Sequence, residues 1–234
     1  TIDSSVLHYN WQDKEINVID TPGYPDFISG AIGALNAVET AVVVIAATSG
    51  IQVNTQKMWD IAGDAGLARL VVITKMDGDN IDYPSLLDSI QNAFGEECMP
   101  LMLPVGHGSG FKGVVDTLNM QGDVPGDVIG DVDKCREKFL EGIVCVCDET
   151  MEKYLDGQEI EIEKLHGCFT TAVASGSVVP ILCCDNKKGL GIEEIVDVIS
   201  KFTPSPEKGL VRKYVGVEGD EVAVEEKDVE VSKD

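Results

Sequence analysis

Three apolar, β-branched runs constrain this chain most. They are Ala41-Val42-Val43-Val44-Ile45-Ala46-Ala47, Leu70-Val71-Val72-Ile73 and Val178-Val179-Pro180-Ile181-Leu182-Cys183-Cys184. The first lacks any polar alternation, so it reads as a strand buried on both faces, as in a parallel sheet covered by helices. The second is another buried strand. Between and around these runs lie apolar stripes at helical spacing. One is Phe27, Ile28, Ala31, Ile32, Leu35 and Val38. A second is Met58, Ile61, Ala62 and Ala65, with Asn54 or Thr55 placed to cap it. A third is Leu86, Leu87, Ile90 and Phe94, and a fourth is Ile192, Ile195, Val196 and Ile199. Two further strands, Val6 to Trp11 and Ile16 to Ile19, are joined by the polar turn Gln12-Asp13-Lys14. Alternation of strand and helix implies a doubly wound α/β fold.

The rhythm breaks near Gly95. Pro100 to Pro104 and Gly113 to Asp116 read as short strands, and Gln121 to Asp131 is a loose Gly- and Asp-rich stretch. Helical patterns follow through Lys134 to Asp148, Glu149 to Leu155 and Glu161 to Ala174. We therefore divide the chain into an α/β part at 1–95, an inserted subdomain at 96–175, the last strand and helix at 176–206, and a linker at 207–234. Pro204 and Pro206 end the last helix.

Two short motifs sit at the carboxyl ends of predicted strands. Asp20-Thr21-Pro22-Gly23-Tyr24 follows the run Ile16 to Ile19. A carboxylate there can hold Mg²⁺ through water, and a glycine N–H beside it can sense a γ-phosphate. Asp-x-x-Gly alone also makes ordinary turns. Thr74-Lys75-Met76-Asp77 ends the run Leu70 to Ile73 and makes the combination specific. An Asp there can pair with the N1 and N2 donors of guanine, while the Lys stem covers ribose and base. Lys75 by itself would be a solvated lysine; its place between Thr74 and Asp77 reverses that. No Gly-x-x-x-x-Gly-Lys-Ser/Thr loop occurs in the 234 residues. The strand preceding such a loop is central in these sheets. Without it, edges and apolar side chains are left uncovered, and the chain is expected to be marginally stable or to pair with something else.

With 41 acidic and 18 basic residues, the net charge is −23. Such a surface repels phosphates, which argues against direct or sequence-specific nucleic-acid binding. The seven cysteines include no Cys-x-x-Cys pair, so neither a disulfide framework nor a zinc site is indicated. They read as small buried apolar residues in a reducing cytosol. No run approaches the roughly 20 residues of a membrane span. Trp11 and Trp59 read as packing residues, and carboxylate clusters such as Asp148-Glu149 as solvated faces.

With these motifs in register, the chain resembles the GTP-binding domain of translation elongation factor G over roughly residues 1–206. Thr1-Ile2 is similar to the end of the family's first switch. Gly50 to Gln56 is similar to the segment after its third core strand. Phe111 to Asp116 with Met151 to Leu155 resembles its inserted G′ subdomain, and Val179 through Pro206 resembles the end of its G domain. The resemblance implies a P-loop NTPase-type G domain, lacking here its first strand and phosphate loop. It implies GTP/GDP and Mg²⁺ as ligands and ribosome-dependent GTP hydrolysis driving translocation in the cytoplasm. Its partners would be the large-subunit factor-binding site and the stalk protein. Thr1 and Asp20 would meet Mg²⁺, and Gly23 the γ-phosphate. Lys75 and Asp77 would read guanine, with Asp185-Asn186 at the second base-contacting position.

Three positions depart from the family's pattern. Tyr24 stands where histidine positions water, and a phenol cannot carry the positive charge of an imidazolium. Thr74 replaces an asparagine and lacks its paired donor and acceptor. Asp185-Asn186 replaces Ser-Ala. These departures keep a second reading open, a non-catalytic ribosome-binding factor. Within the GTPase class, ribosomal-protection proteins and the release-factor GTPase share the same layout.

Overall fold

A computed structural model describes residues 2–118, 123–158 and 160–209, together with the backbone of 213–218 and 221–228. Thr1 lies outside the described residues, as do parts of the Gln121 to Asp131 stretch and of the 207–234 linker.

The chain opens with an antiparallel hairpin of β1 (Ser5–Trp11) and β2 (Lys14–Asp20). Gln12 and Asp13 both take positive φ, which reverses the chain in two residues. A 3-10 turn (Pro25–Phe27) leads into α1 (Ile28–Leu35). Then β3 (Thr40–Ala46), α2 (Val53–Asp64), β4 (Ala68–Thr74) and α3 (Tyr83–Phe94) alternate as the stripes predict. In the middle of the chain come β5 (Cys98–Pro100), β6 (Met102–Val105) and β7 (Gly113–Asp116). Helices α4 (Val132–Val144), α5 (Asp148–Leu155) and α6 (Ile162–Ser175) follow. The rhythm resumes with β8 (Val179–Cys183) and α7 (Ile192–Phe202). A hairpin of β9 (Lys213–Glu218) and β10 (Glu221–Asp228) comes last.

The central sheet is parallel, in the order β3-β4-β8-β5. β4 and β8 are its buried middle. Leu70, Val71 and Ile73 are fully buried, as are Val179, Ile181, Leu182 and Cys183. One core continues from this sheet into the middle of the chain, where Phe139 and Phe169 meet edge to face and Phe169 stacks on Phe202. β6 and β7 form a separate antiparallel pair. It is attached where the Leu101 N–H donates to the Ile181 carbonyl of β8 and the Thr117 N–H donates to the Leu101 carbonyl.

β3 corrects one expectation. Its residues alternate, so that Val42 is 41% and Val44 57% exposed while Ala41, Val43 and Ile45 are buried. One face of β3 lies open. Among the described residues β3 pairs only with β4, and β2 only with β1. Between β2 and β3 runs a groove of about 1260 Å³, lined by Ile16, Val18, Val42, Val44 and Leu35 among others. A run that would be buried on both faces is therefore open on one. Polar bonds tie the hairpin across this groove to α7. Trp11 Nε1 and Gln12 Nε2 both donate to Asp197 Oδ1, at 2.7 and 2.9 Å. Lys14 Nζ donates to the Ser200 carbonyl.

Candidate nucleotide-binding site

The strand ends fix the site. Asp20 is the last residue of β2, and the chain leaves it through half-buried Thr21 and buried Pro22 to exposed Gly23. A Cβ at Gly23 would meet nothing within 4 Å, so its backbone faces open space. Tyr24 is 70% exposed, and its carbonyl accepts from the Phe27 N–H to start the 3-10 turn. The segment is held from the other side by Asn54, whose Nδ2 donates to the Gly23 carbonyl at 2.9 Å. The spacing offers Asn54 or Thr55 as a cap; Gln52 is the N-cap of α2, and Thr55 joins its capping box, its Oγ1 accepting the Gln52 N–H. Asn54 thus clamps the turn after β2 to the helix after β3.

The second half grows from β4. Thr74 is its last residue, and the Thr74 carbonyl accepts from the Ala47 N–H at 2.8 Å. Lys75 then adopts φ +61°, the left-handed region, which is uncommon for a side-chain-bearing residue and concentrates at functional sites. That twist sends the exposed Lys75 side chain away from the buried Met76. Gly78 closes the turn on the Lys75 carbonyl at 3.0 Å. A Cβ there would stand 2.4 Å from Cγ2 of the exposed Thr48, which would have to turn away, and 3.2 Å from the Lys75 carbonyl.

The turn after β8 joins the same place. The Met76 N–H donates to the Cys184 carbonyl at 3.3 Å. Asp185 is fully buried, and its Oδ1 accepts the Lys187 N–H at 2.9 Å, a local Asx turn. Its other oxygen, Oδ2, has no protein partner. Asn186 is exposed. Lys187 Nζ reaches over to Asp77 Oδ2 at 2.9 Å, and this ammonium holds the Asp77 carboxyl below the usual carboxylate range. Asp77 Oδ1 is buried without a partner. Two carboxylate oxygens with unused acceptor capacity therefore sit in adjoining loops. Buried acceptors in that state call for a donor from outside the protein.

The fold so brings Thr74, Lys75, Met76 and Asp77 together with Asp185 and Asn186. The Asp20–Tyr24 turn joins them through the loop 47–52, bonded to Thr74 at its start and followed by Asn54. Sequence reasoning missed Asn54 in this role and missed Lys187 altogether. Lys187 lies 110 residues from Asp77, and no spacing rule connects them.

Comparison with known proteins agrees with this geometry. The family model described as the elongation factor Tu GTP binding domain matches residues 1–205. The chain belongs to that family. Members are translation-factor GTPases whose domain binds guanine nucleotide. A crystal structure of a protein from Thermus thermophilus is similar, with a TM-score of 0.80 and 30% identity over 88% of this chain. The chain spans 33% of the length of that protein. The α/β architecture read from the apolar runs is the architecture of this family.

The cysteines stay out of the site's chemistry. Cys98, Cys168, Cys183 and Cys184 are buried, and burial pushes the Cys98 thiol up to about 12 and Cys184 to about 11. None of the helices described is long and apolar enough to cross a membrane.

Proposed function

We propose that this chain is the GTP-binding domain of a translational GTPase of the elongation factor G type. Such a protein couples ribosome-stimulated GTP hydrolysis to translocation and, with a recycling factor, to ribosome disassembly. The observation that carries the reading is the pair of adjoining loops after β4 and β8, with the unpartnered Asp77 Oδ1 between them. Guanine offers N1–H and N2–H donors to such a carboxylate. Lys75 would lie along the base and ribose, and the backbone N–H at Asn186 would face the base edge. Thr74 and Met76 hold the loop in place, Met76 by burial. Asp20, with Thr1, would hold Mg²⁺, which supplies charge neutralisation between the phosphates. The open backbone of Thr21-Pro22-Gly23 would meet the terminal phosphate, with Gly23 donating its N–H, and Tyr24 would orient water from a hydroxyl that both donates and accepts.

The groove between β2 and β3 supports the same reading. One further parallel strand would satisfy both edges, and its carboxyl end would emerge beside Asp20, where a phosphate cradle is needed. The residues 96–175 would form the G′ subdomain. Partners would be the ribosomal factor-binding site and the stalk protein, in the cytoplasm. Because this chain has a net charge of −23, contact with an acidic stalk would rest on apolar groups.

The test is guanine-nucleotide binding with Mg²⁺ and an ATP control, by this chain and by a longer natural form carrying a phosphate loop. Binding by the longer form with GTP favoured supports the reading, and no binding by either removes it. The 234-residue chain alone is expected to show negligible turnover; multiple turnover would contradict this. A second reading, a ribosome-binding factor without hydrolysis, draws on Asp185, a fully buried carboxylate beside the base loop, and on Tyr24. Tyr24→His separates the two. A large gain in ribosome-stimulated turnover favours lost hydrolysis, and little change favours a working tyrosine.

A further inference from the structure

We propose that Lys187 withholds one of the two base-reading oxygens of Asp77, so that the site takes hypoxanthine nucleotides nearly as well as guanine nucleotides. The inference rests on the nucleotide-binding reading above and adds the base preference. A carboxylate reads guanine with both oxygens, one on N1–H and one on the 2-amino group. Here the two oxygens of Asp77 are not equivalent. Oδ2 is bonded to Lys187 Nζ at 2.9 Å, while Oδ1 is buried and without a partner. A base that presents only N1–H satisfies Oδ1 and leaves the ion pair intact. A base with a 2-amino group brings its second donor to an oxygen already bonded to an ammonium, which it must share or displace.

The surroundings keep Lys187 in that position. Its ammonium is favoured first by the bond to Asp77 and further by the charge of Asp185. Its own backbone N–H is held on Asp185 Oδ1 at 2.9 Å. Asp77 is the deeper partner, with 14% of its side chain exposed against 73% for Lys187. Lys187 therefore covers the carboxylate from the solvent side, and its replacement leaves the core untouched. Hydrogen bonds to a charged group are strong enough for the second bond to change affinity about tenfold or more.

The experiment titrates the full chain with GDP and with inosine diphosphate, followed by ligand-observed NMR up to millimolar concentrations. The same titrations are run on Lys187→Met and Lys187→Arg. The expected inosine-to-guanine ratio of Kd is within about threefold for the natural chain and for Lys187→Arg, which keeps a donor on Oδ2. It rises about tenfold in Lys187→Met, through tighter GDP binding, while thermal stability is unchanged. Binding of both nucleotides with a ratio that Lys187→Met does not raise overturns the proposal and leaves the nucleotide site standing. Absence of binding by any of these forms overturns the proposal, while the nucleotide-binding reading falls only if the longer form also fails to bind.

Discussion

Replacing Asp197 by alanine should loosen the β1–β2 hairpin from the rest of the molecule, and the cost follows from its contacts. Asp197 Oδ1 accepts from Trp11 Nε1 and Gln12 Nε2, and Oδ2 pairs with Lys201 at 2.7 Å. The half-buried indole N–H loses a charged acceptor, a loss of ~1.5–3 kcal/mol. Exposed Gln12 can turn to water and adds little. The exposed pair with Lys201, one helical turn away, contributes ~0.3–0.5 kcal/mol. Alanine returns ~0.5 kcal/mol through helix propensity. The net is a destabilisation of ~2 kcal/mol, or a Tm lower by ~4–8 °C for a domain of this size. Urea unfolding followed by tryptophan fluorescence measures it, and hydrogen exchange locates it. Amides of β1 and β2 should exchange faster while those of β4 hardly change. The effect should also depend on pH. Burial pushes the Asp197 carboxyl up, but hydrogen bonds from Lys201 and Trp11 outweigh that and leave it below its ordinary value. A carboxyl lowered by folding stabilises the protein above the unfolded value near 4. That contribution disappears as pH falls through the lower folded value. The stability gap between the natural chain and Asp197→Asn should therefore be full above the unfolded carboxyl value of about 4 and close as pH falls through the lower folded value. A loss under ~0.5 kcal/mol for Asp197→Ala, the range of an ordinary surface change, would refute the tether. So would a pH-independent gap.

Three further outcomes are expected. Gly78→Ala should cost only ~1 kcal/mol, the low end for overpacking, and weaken nucleotide binding slightly, because exposed Thr48 can turn its Cγ2 away while the Lys75 carbonyl at 3.2 Å must give; thermal melts and nucleotide titration read both. Lys75→Gly should relieve the left-handed backbone and stabilise the fold by up to ~1–2 kcal/mol, yet weaken nucleotide binding, so the two assays should move in opposite directions. Alkylation at pH 8 followed by mass spectrometry should label exposed Cys145 rapidly. Buried Cys98, whose thiol is pushed up to about 12, should stay unlabelled until the protein unfolds.

Much of the fold was legible because its signals are local. Unbroken β-branched runs gave β4 and β8, and stripes of 3.6-residue period gave α2, α3 and α7 within a few residues. The Asp20–Gly23 and Thr74–Asp77 turns were legible for the same reason, since each is one short segment at a strand end. Val42 and Val44 were misread because a run's composition says nothing about what stands beside it. Their exposure follows from the open groove along that face of β3. Of the two residues offered as caps, Thr55 joins the capping box while Asn54 bonds Gly23 instead, because capping residues and long-range clamps have the same composition.

The sequence by itself determined the elements and the two turns at the strand ends. Each of these depends on neighbours within a few residues along the chain, where backbone geometry and side-chain period leave little choice. Only the tertiary structure decided which groups face one another across the loops. It set Lys187 on one oxygen of Asp77 and left the other oxygen free. It bound Trp11 to Asp197 across a groove that no local pattern records. Such contacts join residues more than a hundred positions apart, and they exist only because packed strands fix where each turn ends.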